Sequence, residues 1–347
     1  MRFKLSPSAR LGTQAAIAII LAFTVAQLFG ISRSYWALMT AMLLISQTWG
    51  ESVRKAFTRA GMTILGGIVG TLIYFLIKSD PHVIFIGILL CVFFMVYFFE
   101  TSYLLTVFFI TMFVVFLFAA IDNWSIHLLE ARIYDTLIGA GIAIISSALV
   151  FPITAKTGFI NQFPEYIEKL KKCTNVCFAL FDKKEINDRE ILTLHKDLLG
   201  GLLQLQTSQE NMNYEYLFNY YPKKTRKEIM LNISILHHYV TSSMEAYASI
   251  RNSPNLKYIE SDLKEIQGLF NNNFTLLIEI LDHKKPRLSF LKIIDIRERI
   301  QKEVIKTINS SCCTEASWFD FFSFFYFLRK VNGAILELTN ILGFKET

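Results

Sequence analysis

The chain has 347 residues, 53% of them hydrophobic and 18% charged, with a formal net charge of +6. That modest excess reflects lysines and arginines flanking apolar stretches, which argues against a nucleic-acid surface. The first 155 residues hold six apolar stretches almost free of charge and the remainder hold none, so the chain reads as an all-α membrane domain (1–155) followed by a soluble helical domain (156–347).

In chain order the stretches are Leu11 to Ile31, Tyr35 to Trp49, Ala60 to Ile77, Val83 to Phe99, Tyr103 to Ile121 and Ile133 to Phe151. A helix needs roughly 17–25 apolar residues to cross hydrocarbon. The second stretch falls short, rising only about 22 Å against a core of ~30 Å. Either non-helical backbone stands beside it under a cover of protein or water, or Trp49 to Phe57 continues the helix. The first stretch exceeds the h-region of a removable signal and lacks an A-x-A-like site behind it, so it is expected to stay as an anchor.

Six spans put both termini on one side, and the cations choose the side. With the N-terminus inside, the inner flanks carry Arg2, Lys4, Arg10, Arg54, Lys55, Arg59, Lys156, Lys169, Lys171 and Lys172. The outer loops carry only Arg33, Lys78 and Arg132. Tyr35, Trp36, Tyr74, Trp124 and Tyr134 would then anchor the outer face, and Trp49, Tyr97 and Tyr103 the inner one.

Beyond Pro152, leucines and isoleucines at helical spacing alternate with dense charge. Five or six helices are predicted, with breaks near Asn187, Tyr221–Pro222, Asn252–Pro254, Lys285–Pro286 and Ser310–Thr314. Ile229, Ile233, Leu236 and Val240 form one apolar stripe, and Leu263, Ile266, Phe270 and Leu277 another. The last helix, Trp318 to Leu342, starts with eight aromatic residues among its first ten but is interrupted by Arg329 and Lys330. It reads as a core helix or one lying on the membrane face. Cys173 and Cys177 share a helix face, yet no histidine or C-x-x-C pattern joins them or Cys91, Cys312 and Cys313 in a zinc site. No cofactor is expected.

No catalytic or nucleotide-driven engine is legible. Gly61 and Gly66 have the spacing of a Walker A loop, but Gly67 and Ile68 replace its Lys-Ser/Thr. What remains is a sparse set of ionisable residues and glycines. Glu51, Arg54 and Arg59 are placed on the inner link between the second and third spans, where Arg10, Arg54, Lys55 and Arg59 would attract an organic anion or serve topology alone. Glu100 falls between the fourth and fifth spans. Glu130, Arg132 and Asp135 open the sixth. Arg132 and Asp135 read either as an i,i+3 pair at a helix start or, for Asp135, as a proton-coupling or gating site. Gly66 and Gly70 form a G-x-x-x-G, and Thr136, Ala140, Ala143 and Ser147 a small-residue seam, both suited to close helix packing. The phenylalanine load fits a ring-bearing solute and lipid-facing filler equally well.

Several runs together resemble one family. They are Arg10 to Ala16, Tyr35 to Ala37, Gly50 to Arg59, Gly66 to Gly70, and Arg132 to Ala140 in a stretch ending at Pro152. In order and spacing they resemble the fusaric acid resistance and aromatic acid exporter family over roughly residues 8–155. The soluble half resembles it in layout only. The resemblance implies an inner-membrane efflux permease for aromatic carboxylic acids or similar organic anions, driven by protons. It carries motif positions onto Arg59, Gly66, Gly70, Arg132 and Asp135. That family often holds the six-span unit twice per chain and this chain holds it once, so a homodimer or higher homo-oligomer is expected. The partners expected are therefore the lipid bilayer, a small organic anion and further copies of the chain, with no nucleic acid. A passive organic-anion channel and a membrane-anchored scaffold for a cytosolic partner are the alternatives.

Overall fold

The computed structural model describes residues 6–30, 34–76, 81–122, 124–176, 178, 188–215, 223–250, 260–282, 284, 286–293 and 315–343. Arg2, Lys4, Arg33, Lys78, Cys177, Cys312 and Cys313 lie outside the described residues. So do the expected breaks at Asn187, Tyr221–Pro222, Asn252–Pro254 and Ser310–Thr314, and the Lys285 half of another. Among the described residues there are eleven helices and no strand. The chain divides into two compact units, Met1–Ala155 with Asn211–Leu217, and Lys156–Glu210 with Phe218–Thr347.

In the first unit the helices are α1 (Pro7–Leu28), α2 (Tyr35–Leu44), α3 (Trp49–Leu76), α4 (Pro81–Phe98), α5 (Tyr103–Asp122) and α6 (Ile126–Leu149). Four of them, α1, α3, α4 and α5, are long and apolar enough to cross a membrane. Their outward faces are greasy. α4 buries only Ile84 and Cys91 and exposes Phe85, Leu89 and Phe93, a distribution that is unfavourable in water and natural in lipid.

The second stretch is short, as expected, with non-helical backbone beside it rather than a helix continued through Trp49 to Phe57, while the start of the sixth needs correction. α2 has 10 residues and rises only about 15 Å, so it does not cross as a helix. Irregular backbone follows it from Ile45, which is extended, to the start of α3 at Trp49. α6 begins at Ile126 rather than Ile133. Its 24 residues are long enough to cross, at about 36 Å, but they carry Arg132 and Asp135 inside the helix.

Irregular backbone near hydrocarbon must find partners in protein. Here it does. Arg10 Nη2 donates to the Gln47 carbonyl at 3.0 Å, and the Ser46 N–H donates to Ser52 Oγ at 3.0 Å. Lys55 Nζ donates to Ser46 Oγ at 2.9 Å while pairing with Glu51 at 2.9 Å. At the far end of α6, Gln14 donates to the Val150 carbonyl, and the Trp49 N–H donates to the Ile153 carbonyl at 2.9 Å.

Small residues set the helix spacing. Ala18 and Ala22 of α1 pack with Ala41 of α2 and Ile142 of α6, and Leu44, Ala56, Ala140 and Ala143 form a second buried group joining α2, α3 and α6. A Cβ on Gly66 would stand 2.7 Å from the Phe108 carbonyl oxygen, and one on Gly70 would stand 3.2 Å from Val115 Cβ, so α3 lies against α5 through these glycines. Between α4 and α5 the phenylalanines stack on one another, Phe94 on Phe109 at 4.9 Å. The central helices are α3 and α6, flanked by α1 and α2 on one side and α5 and α4 on the other.

The second unit contains α7 from Lys156 on (the helix is Ala155–Val176), most of α8 (Asp188–Met212), α9 (Lys223–Ile250), α10 (Glu260–Leu281) and α11 (Glu315–Ile341). The two apolar stripes, Ile229 to Val240 and Leu263 to Leu277, are buried at the named positions. α11 buries Phe324, Leu328, Val331, Ile335 and Leu338 along one face, the pattern of a core helix. Asn273, fully buried, donates to the Leu291 carbonyl at 2.8 Å and to Asn332 Oδ1 at 2.7 Å, and accepts from the Leu291 N–H at 2.9 Å. That one amide ties α10, α11 and the 286–293 segment together. Cys91 and Cys173 are buried and in no disulfide, and burial followed by Asp197 pushes the Cys173 thiol up to about 12.

Candidate functional site

Arg59 does not lie on an exposed inner link. Thr48 caps the helix start, with the Glu51 N–H donating to Thr48 Oγ1 at 3.3 Å. The helix therefore starts at Trp49 and runs straight through the polar turn that looked like a loop. Arg59 stands about 15 Å along it, roughly half the thickness of a bilayer core. Arg54 is half-buried within the same helix, nearer its start. Arg132 and Asp135 sit likewise in the second and third turns of α6, not at its first residues.

Contacts fix how these helices meet. Gly67 of α3 abuts the side chain of Leu129, and Ala56 packs with Ala140 and Ala143. The two helices thus run antiparallel, and Arg59 comes within about one helical turn of Asp135 in height. Arg59 and Asp135 both act electrostatically on Arg132, as does Tyr35. The sequence had placed Arg59 and Arg132 on opposite faces of the membrane; the structure brings them to one place.

All three groups are buried, Arg59 at 6% exposure, Arg132 at 7% and Asp135 at 1%. Among the described residues, Arg59 Nε and Arg132 Nε and Nη1 are buried donors with no hydrogen-bond partner. Trp36, the second residue of α2, covers Arg132, with the guanidinium carbon 3.5 Å from the ring centroid. Gly139 lets α2 come close enough for this, since a Cβ there would meet the Ala37 carbonyl oxygen at 2.6 Å and Thr40 Cβ at 2.8 Å. The small-residue seam Thr136, Ala140, Ala143 and Ser147 is buried along the same helix.

Arg132 and Asp135 open onto a cleft lined also by Trp36, Val114, Phe118, Trp124, Leu128 and Ala131. Trp124 is held there by its Nε1–H donating to Thr71 Oγ1 at 2.9 Å. The cleft has only about 10 Å³ of free space, room for about one water and far below the ~300–1,000 Å³ of small-molecule sites. It would have to widen to admit more than a very small solute.

Two cations against one anion leave a net positive centre that is expensive in a low dielectric unless an anion compensates it. The arrangement presents unused N–H donors, an aromatic wall and a carboxylate able to exchange a proton. Among the described residues, no group of three or more His, Cys, Asp and Glu could hold a metal ion.

One polar residue with a clear structural role escaped the sequence entirely. Glu215, 1% exposed, belongs to the first unit and accepts hydrogen bonds from Gly50 and Ala155. No local pattern marks it, because its partners lie 165 and 60 positions away.

Comparison with known proteins agrees with this membrane unit. Residues 21–146 match the model of the fusaric acid resistance protein-like family. Inner membrane protein YeeA of Escherichia coli (strain K12) is 41% identical over 61 residues, 17% of this chain and 17% of that protein. The match thus spans about a sixth of the relative's length. The chain is a polytopic helical membrane protein, and over residues 21–146 it is similar to the fusaric acid resistance protein-like family.

Proposed function

We propose that this protein is an inner-membrane exporter of organic anions, aromatic carboxylates foremost, driven by protons and working as a homo-oligomer with both termini in the cytoplasm. In this reading Arg54 draws the anion toward the inner end of α3. Arg59 and Arg132 receive its carboxylate, and Asp135 exchanges the proton. The observation that carries the reading is the net positive trio of Arg59, Arg132 and Asp135, buried well inside helices of a membrane unit with donors to spare. Intramembrane ionisable groups of this kind mark solute or proton paths more often than packing. The aromatic wall of Trp36 and Trp124 suits a flat ring. The family match and the inner-membrane name of the relative support the location and the transport class.

The test is reconstitution of the full chain in liposomes with benzoate as probe. Uphill benzoate movement is expected with an imposed proton gradient and is lost when an uncoupler collapses it. Arg59→Ala and Arg132→Ala should each lower kcat/KM at least tenfold, and Asp135→Asn should keep downhill exchange while losing proton dependence. Equal downhill flux with or without the gradient, and no uphill phase, would assign a passive anion channel instead. Absence of any carboxylate flux rejects the reading.

A further inference from the structure

The last two residues of α8 and the turn after them belong to the same compact unit as α1–α6, and one buried carboxylate in that turn reaches two helix starts. Oε1 of Glu215 accepts from the Gly50 N–H at 3.0 Å and from the Ala155 N–H at 2.6 Å. Gly50 is the second residue of α3 and Ala155 the first of α7. Both N–H groups are among the first four of their helices, which have no partner within the helix. A carboxylate at such an end gains from the helix dipole as well as from two charge-assisted bonds.

The approach depends on the residue at 50. A Cβ there would stand 2.9 Å from Glu215 Cγ and 3.0 Å from the Asn211 carbonyl carbon, and closer still to the Asn211 oxygen. Any side chain larger than hydrogen would push the turn away. The same end of α3 is held by the Trp49 N–H on the Ile153 carbonyl at 2.9 Å. Nine residues on, about 13 Å up the helix, stands Arg59.

We propose that Glu215 is a positioning residue for α3. It clasps the first turn of α3 and the first residue of α7 to the turn behind α8 within the first unit, and so holds the height of Arg59 against Arg132 and Asp135. The clasp stands on its own geometry; what Arg59 does there rests on the function proposed above.

Hydrogen exchange on the full chain in lipid nanodiscs, read by mass spectrometry, tests it without assuming transport. Glu215→Ala should speed exchange at least tenfold in segments 50–63 and 155–160, reaching Arg59, while α4 and α5 stay at the wild-type rate. Glu215→Gln, which keeps an oxygen acceptor, should stay within about threefold of wild type, and Gly50→Ala should copy Glu215→Ala. Exchange unchanged in Glu215→Ala, or faster only in the first turn of α3, overturns the proposal. If the liposome assay shows benzoate flux, Glu215→Ala should lower kcat more than it raises KM, with Glu215→Gln restoring kcat; wild-type kcat in Glu215→Ala overturns it too. If no flux is seen in wild type, the transport reading fails and the exchange result alone decides the clasp.

Discussion

The guanidinium carbon of Arg132 lies 3.5 Å above the Trp36 ring, so a charge two turns inside a membrane helix is covered by the negative face of an indole. Trp36 belongs to α2, the ten-residue helix that is too short to cross. Its shortness is therefore not a defect in a span. The half-length helix delivers an aromatic cover to the second turn of its neighbour, and the backbone it leaves irregular is taken up by Arg10, Ser52 and Lys55.

A desolvated cation–π contact is worth about 2 kcal/mol. Trp36→Leu, Arg132→Met and the double variant, melted in detergent as the full chain, should give a coupling energy of about 1–2 kcal/mol. Trp36→Phe should retain part of it. A coupling below about 0.5 kcal/mol would mean that the ring merely fills space beside the charge.

Two glycines of α6 offer an internal comparison. A Cβ on Gly139 would stand 2.6 Å from the Ala37 carbonyl oxygen and 3.1 Å from the Ala41 nitrogen, both backbone atoms that cannot swing aside, whereas one on Gly141 meets nothing within 4 Å. Gly139→Ala is expected to cost about 1–3 kcal/mol by forcing α2 off α6. Gly141→Ala should be neutral or stabilising by up to ~1 kcal/mol through helix propensity. Thermal unfolding of the two variants side by side checks the order, and Gly139→Ala should also loosen the Trp36 cover, seen as a shift in tryptophan emission.

How far the sequence carries is clearest in α3. Apolar counting began this span at Ala60 because Glu51, Arg54, Lys55 and Arg59 raise the local polarity, and a polar turn that continues a helix has the same composition as a loop. The start was nonetheless written in Thr48, a capping residue whose hydroxyl accepts from the Glu51 N–H. Greasy stretches, the family resemblance and the stripes of α9 and α10 are properties of one segment at a time, and segments show them. The union of Arg59 with Arg132 and Asp135 is set by the register of one helix on another. Glu215 is more distant still, since two backbone N–H groups far along the chain have no side-chain identity to read.

In the second unit, Tyr166 Oη lies 2.8 Å from His237 Nδ1. Tyr166 is buried and its phenol is pushed well above the ordinary tyrosine value, mainly by burial and then by Cys173, so the hydroxyl keeps its proton and, in the Nε2–H tautomer of a neutral His237, donates a hydrogen bond to Nδ1. Burial first, then His195 and His238, hold His237 below its ordinary 6.5. As pH falls below about 6.5 the unfolded imidazole takes up its proton while the folded one resists, so the unfolded state binds more protons and stability drops. The contribution is fully present above pH 6.5 and is lost as pH falls through the lower folded value. Protonation also ends the role of Nδ1 as acceptor and leaves the Tyr166 hydroxyl buried without it. Hydrogen exchange in segments 158–170 and 229–240, corrected for its intrinsic pH dependence, should therefore quicken several-fold between pH 7.5 and 5.5 in the intact chain. His237→Gln, whose side-chain oxygen can still accept from Tyr166, should flatten that dependence. A profile equally steep in His237→Gln would assign the acid sensitivity to other groups.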